Sequence, residues 1–94
     1  MATHVSVCIE MQEYASIIKV IPNDPDLPSS YIEFLKCRIE EDDKAIADGF
    51  IIKEVNIDYK TFAKYCESRL GKPTFVLLME HAVDKAFNRT RLYA

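Results

Sequence analysis

Few side chains in this 94-residue chain could do chemistry, and they are scattered. Cys8, Cys37 and Cys66 have no CxxC spacing and no histidine cluster beside them. A metal site needs several such ligands converging, so His4, Cys8 and His81 give no motif and the expected metal ligands are none. An odd number of cysteines without a secretory leader reads as reduced thiols, which points to a cytoplasmic protein. Ser29, Ser30 and Ser68 have no identifiable base, so no nucleophile–base pair emerges. The two glycines, Gly49 and Gly71, form no phosphate-cradling loop and read instead as helix stops. The expectation is a non-catalytic protein without a cofactor.

Charge separates the two halves. Residues 1–49 carry four basic and ten acidic side chains, whereas residues 50–94 carry eight and five. The acidic run Glu40-Glu41-Asp42-Asp43 reads as a solvated helix face that could dock a basic partner. The cations Lys60, Lys64, Lys72, Arg89 and Arg91 lie in the other half.

The elements positioning these groups belong to one α+β domain spanning 1–94, since this length leaves no room for two. Val5, Val7 and Ile9 alternate with smaller or polar residues, which predicts a strand at about 4–10. The β-branched Ile17, Ile18, Val20 and Ile21 suggest another at about 15–21. Met11 to Ala15 between them are mostly helix formers without a turn residue, so one helix through the region is the rival reading. Three prolines mark residues 22–30 as a loop. Ser30 and Glu33 have capping-box spacing and open a helix over about 30–48, whose apolar stripe is read as Ile32, Leu35, Ile39 and Ile46. A strand at about 50–57 follows. Asp58 caps a helix over about 59–70, with Leu70 on its buried face, and Thr74 or Pro73 starts the last one at about 75–88. The strands are expected to pair antiparallel. No run is long and apolar enough for a membrane helix.

The last helix is apolar around most of its circumference, more than one buried face requires. Phe75, Met79, Val83 and Phe87 recur every fourth residue and form one ridge. They are the expected interface of a homodimer.

The stretch Val55-Asn56-Ile57-Asp58-Tyr59, with Phe62, Tyr65, Leu70-Gly71-Lys72-Pro73-Thr74, Leu77-Leu78-Met79, Ala82-Val83 and Ala86, resembles the ribbon-helix-helix family of DNA-binding proteins. The resemblance covers residues 50–88. It implies a homodimer whose paired strands enter the major groove of duplex DNA, and a transcriptional regulator as the function. It would make Asn56 a base reader and place Lys72 and Thr74 at a phosphate. Lys60, Lys64, Arg89 and Arg91 would add nonspecific attraction. Lys53 departs from the pattern, because it falls on the inward face of the strand. The second reading is an acidic protein-binding module, an inhibitor or adaptor, that meets a basic protein partner through the loop 22–30 and the helix face 40–43. A sequence pI near 5.3 favours that reading.

Overall fold

The computed structural model describes residues 2–21 and 24–87. The alternation near the N-terminus forms strand β1, Thr3–Cys8, and the expected strand at 50–57 forms β2, Ile51–Asn56. They pair parallel in the register Thr3↔Ile51 through Cys8↔Asn56 and make a two-stranded sheet. The antiparallel expectation is thereby overturned. Two helices, α1 (Met11–Val20) and α2 (Tyr31–Ala47), carry the chain back to the starting end of β1, so β2 must run in the same direction. After β2 come α3 (Tyr59–Ser68) and α4 (Phe75–Ala86). Over the described residues the domain is α+β with four helices, not three.

The strand expected at 15–21 lies almost entirely within α1. Its β-branched residues favour extended backbone, but Tyr14, Ile17 and Ile21 fall on one helical face and all three are buried. Packing outweighs propensity here. The Tyr14 ring lies 4.6 Å from that of Phe34, and its hydroxyl donates to the Pro28 carbonyl, tying the loop after α1 to the core.

Side-chain caps start three helices. Ser30 accepts from Glu33 N at 3.1 Å, Asp58 from Thr61 N at 2.7 Å and Thr74 from Leu77 N at 3.1 Å. Gly49, at φ +86°, ends α2. After α3 the left-handed residue is Leu70, at φ +51°, and not Gly71. Leu70 is also 94% exposed, so the buried face expected for this helix does not include it.

The sheet separates two environments. Val7 and Val55 join Phe62, Leu78 and Ala82 in the core. On the opposite face, His4 and Ser6 meet α2 through Asp42, which accepts from Ser6 Oγ at 2.7 Å and lies 3.3 Å from His4 Nε2. Arg38, one turn earlier on α2, approaches the same carboxylate at 3.7 Å.

Candidate functional site

Helix α2 does not present the face its sequence suggests. Phe34 and Ala45 are its buried residues, with Tyr31 and Leu35 half-buried beside them. Ile32, Ile39 and Ile46 point outward and are 66%, 56% and 59% exposed. Three isoleucines seven residues apart make a nearly straight stripe about 21 Å long on a helix rising 1.5 Å per residue. Phe50, just beyond the helix, is also exposed.

Acidic groups border this stripe. On a helical projection Asp43 and Glu40 fall on one flank, with Glu33 farther round the same side. Glu33 pairs loosely with Lys36 at 3.8 Å. Glu40, Glu41 and Asp43 are exposed and form no ion pair with another described residue. The fourth member of the run, Asp42, is turned to the sheet and serves as the anchor described above. Of the expected docking face 40–43, Glu40 and Asp43 therefore lie on the side of the apolar stripe, whereas Glu41 is exposed on the opposite side of the helix, at a cavity beside β1. Hydrophobic spacing alone could not separate this stripe from a core face. The acidic residues beside it were the signal that it faces water.

The loop 22–30, expected to share in docking, is bound into the fold over its described part. Asp24 accepts from the Phe75 backbone N–H at 3.1 Å and from Asp26 N at 2.9 Å, and Leu27 is buried. Pro22 and Asn23 lie outside the described residues.

The expected DNA-contacting residues occupy separate places. Asn56 and Lys60 line a cavity of ≈ 630 Å³ at the carboxyl ends of the strands, with Cys8, Glu10, Glu13, Asp58 and Lys85. Ligands of parallel α/β sheets often bind at this end. Three of its charged groups are occupied with the fold, however. Glu13 accepts from Tyr59 N at 2.8 Å, Asp58 caps α3, and Lys85 Nζ donates to the Asn56 carbonyl. Hydrogen bonds from the Thr61 N–H and hydroxyl hold the Asp58 carboxyl below its usual pKa. Burial pushes the Cys8 thiol up, with Glu54 and Asp42 adding to the rise and Arg38 opposing it. A thiol so shifted is a poor nucleophile near neutral pH.

Lys72 and Thr74 lie instead at the start of α4, both exposed. There Thr74 caps Leu77 N and Asp24 already holds Phe75 N–H, so a carboxylate occupies part of the position where the resemblance would put a phosphate. β2, the strand the resemblance would place in the groove, is paired with β1 of its own chain. Arg89 and Arg91 lie outside the described residues. Of the expected dimer ridge, Phe75, Met79 and Val83 are half-buried and Phe87 is exposed.

His81, on α4, is buried. Its ring sits 4.8 Å from that of Tyr65 and 6.2 Å from that of Phe62, and Nε2 has no hydrogen-bond partner among the described residues. Burial lowers its pKa, with Lys85 adding to the effect and Asp58 and Asp84 opposing it. Asp84 is buried too and accepts from Tyr65 Oη at 2.8 Å; Arg69 donates to that hydroxyl and pairs with Glu80 at 2.9 Å. The polar side of α4 thus packs on α3, an arrangement invisible to a pattern that counts only apolar residues.

Among the described residues, no group of three or more His, Cys, Asp or Glu could hold a metal ion, and no helix is long and apolar enough to cross a membrane. Comparison with protein-family models, curated proteins and solved structures finds no match.

Proposed function

We propose that this chain is a non-catalytic protein-binding module that receives a basic amphipathic helix along α2. The observation that carries the reading is the exposed Ile32–Ile39–Ile46 stripe beside Glu40 and Asp43, which form no ion pair with another described residue. Apolar side chains at heptad spacing accept a partner helix through matching knobs, and the acidic flank selects a partner with Lys or Arg along one edge. Fully burying an isoleucine stabilises by about 1.5–3 kcal/mol. Three that are a little over half exposed have roughly 3–5 kcal/mol left to gain, before the ordering costs of binding.

The DNA-binding reading has less support. The outward carboxylates, the overall acidity and the Asp24 carboxylate at the α4 N-terminus all oppose a phosphate backbone.

Fluorescence anisotropy with a labelled 21-residue helical peptide, leucine at its a and d positions and lysine at its flanks, tests the proposal. Binding should weaken with salt and fall at least tenfold in Ile39→Glu, with Lys72→Ala unchanged. A peptide that does not bind overturns this reading. Retention of random duplex DNA that depends on Lys72 would transfer the function to nucleic acid.

A further inference from the structure

We propose that the free edge of β1 pairs with β1 of a second copy of this chain, antiparallel about a two-fold axis, to build a four-stranded sheet. This surface is separate from the α2 stripe, and the proposal stands or falls independently of it.

The backbone gives the first argument. Ile51 N donates to the Ala2 carbonyl at 3.0 Å and Ile57 N to that of Cys8 at 2.9 Å. Even-numbered residues of β1 therefore face β2, and alternation turns the N–H and C=O groups of Thr3, Val5 and Val7 to the other edge. Among the described residues no backbone or side-chain partner meets those groups there. Strand edges left in this state are usually blunted by charge or cover. β2 is blunted, with exposed Lys53 and Glu54 and the Lys85 ammonium on the Asn56 carbonyl. The β1 sequence, Thr-His-Val-Ser-Val-Cys, contains no Asp, Glu, Lys or Arg.

The flanks give the second. A groove of ≈ 330 Å³ runs between β1 and α4, lined by Val5, Met79, Val83 and Phe87. A smaller cavity of ≈ 120 Å³ lies between β1, α2 and α4, with Phe75 and Met79 on one wall and Arg38 and Glu41 on the other. The ridge Phe75–Met79–Val83–Phe87 thus flanks the strand.

Charge selects the occupant. Two uncharged β1 strands meet without repulsion, and a two-fold axis normal to the sheet sets the apolar ridges of both copies on the same face. Centring the axis on Val5 sets Thr3 opposite Val7 of the second copy and uses all six backbone groups that have no partner among the described residues.

Sedimentation equilibrium of the full chain at 1–100 µM, with amide hydrogen exchange at both concentrations, tests the proposal. A dimer is expected, with the Val5 amide protected more strongly at the higher concentration. Val5→Pro removes an N–H that the intrachain ladder does not use, and should weaken association about tenfold or more. Thr3→Pro, farther from the core, serves if Val5→Pro does not fold. Val5→Cys in a Cys8→Ser/Cys37→Ser background should form a disulfide between the introduced thiols of the two copies, because hydrogen-bonded antiparallel pairs hold Cα atoms about 5.5 Å apart. A monomeric wild type at 100 µM overturns the proposal. So does a dimer that keeps its affinity in the folded proline variant.

Discussion

The orientation of α2 can be tested by two truncations five residues apart. Phe34 is 8% exposed, with its ring 4.6 Å from Tyr14 and 6.1 Å from Tyr31. Phe34→Ala should cost about 3–5 kcal/mol, the range for removing a buried aromatic ring. Ile39 has more than half its surface in water, and its removal leaves no enclosed cavity. A buried isoleucine truncated to alanine costs about 2–5 kcal/mol; less than half of the lower figure applies here, so about 1 kcal/mol or less. The better helix propensity of alanine returns a few tenths of that. A 94-residue domain has roughly 5–14 kcal/mol in all, so the two variants should differ plainly. Urea unfolding followed by far-ultraviolet circular dichroism, at one fixed protein concentration, measures both. Equal losses, or an Ile39→Ala loss above about 2 kcal/mol, would refute the assigned face and with it the docking stripe.

Asp58→Ala should lose about 1 kcal/mol by removing the α3 cap, and Asp58→Asn much less. Because the Asp58 carboxyl is held below its ordinary value of 3.8, its contribution is present above that pH and disappears as pH falls through the lowered value. An acid titration of wild type against Asp58→Asn checks this. His81 runs in the same direction from another cause: the unfolded chain takes up a proton below about 6.5, while the buried ring resists it. Stability should therefore decline as pH drops below 6.5 until the lowered folded value is passed, and His81→Phe should flatten that part of the curve. Leu70→Gly should raise the urea midpoint, reflecting roughly 0.5–1 kcal/mol of added stability, because an exposed leucine at φ +51° is strained where glycine is not.

The starts of α2, α3 and α4 were legible because their signals are local, whereas α1 begins at Met11 without a side-chain cap and was not. Ser30, Asp58 and Thr74 stand immediately before helices and all three side chains cap them. Strand positions were legible from alternation, whereas strand direction was not. Direction depends on how many helices intervene, and reading the isoleucines of α1 as a strand removes one of them. The dimer ridge and the α2 stripe are both runs of apolar residues at helical spacing. Spacing shows that such residues share a face, and only the position of neighbouring elements shows whether that face meets protein or water. The two groups ended differently: Met79 is half-buried beside β1, and Ile39 is open.

One polar contact fixes that outcome for α2. Asp42 reaches across to Ser6 Oγ, itself 1% exposed, while His4 and Arg38 approach the same carboxylate from strand and helix. With Phe34 and Asp42 both turned inward, Ile39 and Ile32, about 60° and 80° beyond Asp42 on the side away from Phe34, face outward. Rotating α2 to bury the isoleucines would leave Ser6 in the interior without its acceptor and bring Asp42 into water. An unpartnered hydroxyl costs about 1–3 kcal/mol, less than burying three isoleucines could return. The hydroxyl alone therefore does not hold the rotation; Phe34 must add to it, since its ring would leave the Tyr14 cluster in the same turn. The two anchors act together. Ser6→Ala should leave the stripe outward and the peptide affinity unchanged. Ser6→Ala combined with Phe34→Ala should free the helix to turn. Protection of Ile39 from hydroxyl-radical labelling in the double variant but not in Ser6→Ala would show that the stripe is held out by these contacts, and equal labelling in a folded double variant would show that it is not.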